Sequence, residues 1–170
     1  MLGLGSSLTS GSDPIGGLPS LSFTSNPALF LTANDVADSG DINPGAESAD
    51  TSFDLRLQLN TNDFDEATDS ALDFTLTDVT VTNNTTGVTQ TLASSVTMDN
   101  VVDFAGAGLI FFFTDAGGPL DDIDLSSDSG EEAAHNGVGD NSYSFNANVT
   151  RVGFSGSVAV TTKTVQLTDD

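Results

Sequence analysis

The sequence predicts a single all-β domain, a β-sandwich of about eight strands of jelly-roll or immunoglobulin-like type, behind an extended N-terminal arm. Three observations predict it. Apolar and polar residues alternate with a period of two in run after run. Clusters of Gly, Asn, Asp and Ser separate those runs at short intervals. No stretch carries the apolar spacing of an amphipathic helix.

Residues 1–19 are rich in Gly, Ser, Leu and Pro and have little periodicity, so they read as an arm ahead of a sandwich domain spanning 20–170. Short strands are expected at 21–24 and, after Pro27, at 28–32. Residues 33–50 read as an acidic loop carrying Asp35, Asp38, Asp41, Glu47 and Asp50. Residues 52–60 alternate cleanly, with Phe53, Leu55, Leu57 and Leu59 inward and Arg56 outward. A second acidic loop, 60–70, precedes the strongest signal in the chain, a hairpin over 72–98. Leu72, Phe74 and Leu76 share one face there. The apolar phase then moves to Val79 and Val81, as one extra residue at Thr77–Asp78 would cause. Asn83, Asn84 and Gly87 tolerate positive φ and suit the turn. The return strand, with Val88, Leu92, Val96 and Met98, looks half wet and belongs near a sheet edge.

Residues 99–108 are expected only to turn the chain. Gly108 to Thr114 then place Leu109, Phe111 and Phe113 on one face and Ile110 and Phe112 on the other. A strand without a polar side needs cover on both faces, from another sheet, a partner chain or the arm. Residues 120–141 form the longest acidic insertion. Tyr143, Phe145, Ala147 and Val149 share the inward face of the next strand, Val152 and Phe154 follow in a shifted phase, and residues 158–167 form the last strand, with a slip at Thr161–Thr162. The residues expected to pack the core are Phe53, Leu55, Phe74, Leu76, Leu109, Phe111, Phe113, Phe145 and Phe154.

Charge sets the environment. There are 25 acids against three bases, Arg56, Arg151 and Lys163, for a formal net charge of −22. Such self-repulsion weakens a compact state in ordinary salt. At molar salt the Debye length falls to about 3 Å and the repulsion is screened. The scarcity of Lys and the excess of Asp, Thr, Ser and Gly fit a protein built for high salt. The same charge argues against nucleic acid as a partner, since binding it needs basic patches. No run of about 18 apolar residues is present, so no membrane span is expected. The first residues lack a basic region followed by a long apolar stretch, so no secretory signal is expected. With no Cys, the chain has no disulfide and no thiolate chemistry.

No enzyme motif is present, and no catalytic role is expected. The single His, His135, lies in a polar loop without a nucleophile context. A carboxylate pair for glycoside hydrolysis would lack an aromatic sugar platform, since the chain has no Trp and one Tyr. Asn83, Asn84 and Asn148 stand in N-x-[ST] contexts, frequent by chance in a Thr-rich chain. The candidate metal ligands are Asp121, Asp122, Asp124 and Asp128, with Glu131 and Glu132 nearby. Hard carboxylate oxygens at that density suit Ca2+ or another hydrated cation. Asp63, Asp65, Glu66 and Asp69 form a second group, and neither group has EF-hand spacing.

A β-rich, Cys-free, acidic domain, an arm, no export signal and a strand apolar on both faces occur together here. In this general character the whole chain resembles small β-sandwich capsid, decoration or tail proteins of viruses infecting halophilic archaea or marine bacteria. The resemblance rests on composition and architecture, and no functional residue is carried over from it. It implies a virion structural protein that assembles with copies of itself and with other structural proteins of the same particle, in a virion or extracellular high-salt setting. The alternative from another class is a cell-surface module that binds carbohydrate or calcium through acidic loops.

Overall fold

The computed structural model describes residues 17–33, 52–114, 117–121, 123–124, 141–162 and 165–167. The described residues lay out ten strands in two antiparallel sheets. The first sheet holds β1 (Ala28–Ala33), β2 (Ser52–Asn60), β5 (Asn100–Phe104), β6 (Leu109–Phe113) and the short β7 (Ile123–Asp124). Its order is β1-β2-β6-β5, with β7 added beside β2. The second sheet holds β3 (Phe74–Asn83), β4 (Thr89–Thr97), β8 (Asn141–Arg151), β9 (Val158–Thr161) and β10 (Val165–Leu167). Its order is β10-β8-β3-β4, with β9 beside β8. The chain crosses between sheets after β2, after β4 and after β7. This is the all-β sandwich the alternation predicts.

The core is the space between the sheets, and period two fills it. Phe53, Leu55, Leu57 and Leu59 from β2 are each at most 2% exposed. They face Phe74, Leu76, Val79 and Val81 from β3 and Tyr143, Phe145, Ala147 and Val149 from β8 in one buried cluster. Rings of Phe74 and Phe112 meet across the sandwich at 4.7 Å between centroids. At about 25 cal/mol per Å² of apolar surface removed from water, each such side chain contributes about 2 kcal/mol.

The phase change in β3 is a bulge. Against β8 the register moves from Thr77↔Asn148 to Thr80↔Asn146, so one residue of β3 is extra. Asp78 takes it up at φ 53°, the left-handed region, with its carboxylate accepting from Asn148 Nδ2 at 3.2 Å. Before the bulge Phe74 and Leu76 point inward; after it Val79, Val81 and Asn83 do. The hairpin turn is built differently from the expectation. Gly87 has positive φ, but neither Asn83 nor Asn84 does. Asn83 is buried and its Oδ1 accepts the Thr85 and Thr86 N–H groups, so a side-chain cap replaces backbone strain.

Several other expectations are corrected. Residues 21–24 form no strand; the neighbouring stretch 19–21 is tied to Ser155 by two backbone hydrogen bonds of 2.8 Å. Leu72 is 61% exposed, because residues 71–73 form a 3-10 turn that Ser70 and Asp73 cap reciprocally. Residues 100–104 are a full strand, β5, hairpinned to β6 through a left-handed Gly108. Leu120 and Ile123 are core residues, so the insertion expected over 120–141 begins with packed chain. Leu109, Phe111 and Phe113 are not core but lie half-buried on the outside of the first sheet. Phe154 is also only half-buried. The arm residues 1–16, the loop 34–50 and His135 lie outside the described residues.

Candidate functional site

Register determines what the outside of the first sheet presents. Residues directly opposite on paired strands share a face. Phe30 lies opposite Arg56, Gln58 opposite Phe111, and Phe111 opposite Val102. Phe104 lies opposite Leu109, and Asn100 opposite Phe113. The outward positions of β5 and β6 are therefore Asn100, Val102, Phe104, Leu109, Phe111 and Phe113, with no carboxylate among them. Phe111 packs between Phe30 at 5.1 Å and Phe104 at 5.6 Å between centroids. These rings, with Thr32, Arg56 and Ala107, bound an open groove of about 320 Å³. Phe30 is 41% exposed and Phe104 51%.

Arg56 is the cation on this face. Its guanidinium lies over the Phe113 ring at 5.1 Å and reaches Asp54 only at 4.0 Å. A carboxylate and a guanidinium at that separation balance each other's charge without a tight bond. The face is thus sparsely charged for a chain of net charge −22: Asp54 and Arg56 offset each other, and by register Asp124 of β7 takes a position on the same face.

The outside of the second sheet is of another kind. Its outward residues are Thr75, Thr77, Thr80 and Thr82 on β3, Thr89, Thr91, Ser95 and Thr97 on β4, and Ser144, Asn146, Asn148 and Thr150 on β8. Hydroxyls pair across strands, Thr75 with Thr97 at 3.1 Å and Thr82 with Thr89 at 2.9 Å. Asn84 Nδ2 donates to Ser142 and Ser144 at 3.2 and 2.9 Å. These polar groups thus bond one another across the strands.

Three carboxylates of the acidic loop 60–70 are bonded to groups of their own chain. Asp63 accepts from the Thr24 N–H and hydroxyl, Asp65 from the Ala67 N–H, and Asp69 from the Asp65 N–H. Arg151 bonds Asp69 at 2.6 Å and the Asp63 carbonyl at 3.2 Å, and stacks on Phe74 and Phe154. Burial pushes the Asp69 carboxyl up, but the Asp65 N–H, Arg151 and the Thr68 hydroxyl together hold it below the ordinary carboxylate value.

Of the residues expected to hold Ca2+, Asp121 turns its carboxylate onto the Gly117 N–H. Asp124 lies in β7, paired through its backbone with Ser52. Asp122 and Asp128 lie outside the described residues, as do Glu131 and Glu132. Among the described residues, no three His or carboxylate groups gather at one point. No described helix is long and apolar enough to cross a membrane.

The aromatic face was half legible in sequence. Alternation in GLIFFFT showed that β6 has two apolar faces, but the neighbours Phe30, Val102 and Phe104 needed the register. Comparison of the chain with protein-family models, with curated proteins and with solved structures gave no match.

Proposed function

We propose that this chain is a structural subunit of a virion, in a capsid, decoration or tail role, that assembles by protein–protein contacts in a high-salt environment. One observation carries the reading: the two outer faces of the sandwich differ. The second sheet presents hydroxyls and amides, while the first presents aromatic rings with few charges among them. Exposed contiguous apolar surface on a soluble domain marks an interaction site. In a chain of net charge −22, a sparsely charged apolar face is where another like-charged copy can approach. The hydroxyl face and acidic loops meet brine, and the aromatic face meets a neighbour. Screening by molar salt makes that meeting possible.

Solution mass by light scattering, in molar NaCl and again at low salt, tests the reading. A large closed assembly at high salt that dissociates on dilution of the salt is the expected result. A monomer at both salts overturns it and favours a surface-attached binding module, for which glycans and Ca2+ are the ligands to screen.

A further inference from the structure

We propose that β5 is a seam between two copies of this chain: Asn100–Phe104 pairs antiparallel with the same strand of a second copy, about a twofold axis at Val102. The inference rests on the self-assembly reading above and names the surface it uses. Among the described residues, β5 ends its sheet and is paired on one side only, with β6. Along Val101–Phe104, the backbone donors and acceptors on the side away from β6 form a template for another strand. Its register with β6 is unbroken from Asn100↔Phe113 to Phe104↔Leu109.

The other edges are blunted. The β4 ladder shifts register after Val79↔Ala93, which leaves Leu92 as an extra residue. β9 and β10 are separate pieces along β8. β1 lies against β9 of the opposite sheet. β5 also exposes more apolar surface than a finished edge does, with Val101 and Val102 at 37% and Phe104 at 51%.

Charge selects the occupant. A basic partner would be drawn to the acidic loops rather than to this edge. Two copies of a chain of net charge −22 can join only where acids do not face each other. Antiparallel pairing about Val102 sets Val102 against Val102, Asn100 against Phe104, and Asp103 against Val101. The one carboxylate in the strand thus never opposes its counterpart. The same twofold places the two aromatic faces side by side in one continuous sheet, an isologous contact.

The chain has no cysteine, so Val102→Cys introduces a lone thiol. Directly opposed strand residues bring their Cβ atoms within reach of a disulfide. In molar NaCl under mild oxidation, V102C is expected to give about tenfold more disulfide-linked dimer than Ser95→Cys on exposed β4. Val102→Asp, at an exposed position that leaves the circular dichroism unchanged, is expected to lower the solution mass in molar salt. Dimer yield no higher for V102C than for S95C, or an unchanged mass for V102D, overturns the seam. A V102C thiol that resists both oxidation and alkylation in assembled material also overturns it, and assigns the edge to another segment. A large assembly without the crosslink rejects the seam and leaves the self-assembly reading standing. A crosslinked dimer that never grows at any salt supports the seam and rejects the larger assembly.

Discussion

Tyr143 carries the one phenol of the chain into the centre of the sandwich, where it is fully buried and its hydroxyl finds no partner among the described residues. Burial alone pushes its pKa up to about 12. An acid raised in the folded state contributes its full stability below the unfolded value of about 10 and loses it as pH rises toward the folded value. Denaturant unfolding should therefore show stability falling by about 2 kcal/mol between roughly pH 10 and 12. Tyr143→Phe removes both the unmet hydroxyl and that titration. It is expected to raise stability near neutral pH by about 1 kcal/mol and to flatten the alkaline loss. A Y143F variant less stable than the parent would mean that the hydroxyl has a partner after all. Arg151 is the opposite case, a polar group fully used. It ties Asp69 and the Asp63 carbonyl to the β8 end and covers Phe74. Arg151→Ala should cost about 2 kcal/mol in chemical denaturation. Asp69, held low in the folded state, contributes stability above its unfolded pKa and loses it as pH falls through its folded one. Asp69→Asn should therefore remove part of the acid-induced loss.

At the scale of elements, Asp78 decides which side of β3 is inside. Its αL conformation inserts the extra residue that brings Val79 and Val81 into the core behind Phe74 and Leu76. Asp tolerates that conformation better than Ala does. Asp78→Ala should lower thermal stability by about 1 kcal/mol and Asp78→Gly by less. Deleting Asp78 turns Val79, Val81 and Asn83 to the opposite face, and the variant should fail to fold, read as loss of cooperative unfolding. This bulge was legible because a period-two pattern reports its own slips. The strands at 28–32 and 52–60 and the β8 inward face were legible for the same reason. β5 was not: NVVDF has apolar neighbours at consecutive positions, and both of its faces are wet, so alternation carries no signal. Leu120 and Ile123 were missed because two buried residues among aspartates look like a loop until β2 is seen to need cover. The misplacement of Leu109, Phe111 and Phe113 in the core has a plainer cause. Sequence shows that a residue is apolar, and only the sheet order shows whether anything lies on top of it.

For the whole molecule, the balance between burial and repulsion makes salt a structural component. Several described carboxylates accept from backbone N–H groups, as Asp65, Asp69, Asp73 and Asp121 do. Those bonds hold loops without gathering the ligands a bound ion needs. Salt then acts by screening, and screening depends on ionic strength rather than on which cation supplies it. Two terms follow. The melting temperature should rise steadily as NaCl is raised from about 0.1 M, where the Debye length is about 10 Å, to about 1 M, where it is about 3 Å. KCl at equal ionic strength should give the same curve. Millimolar CaCl2 added on top of molar NaCl should change nothing further, because it adds little ionic strength. Scanning calorimetry on the chain at low concentration separates this folding effect from assembly. A saturable rise with millimolar Ca2+ in molar NaCl would instead reveal a specific site. Asp122 and Asp128 to Asn, beside an untouched Asp121, would then be the variants that locate it in the 120–141 segment.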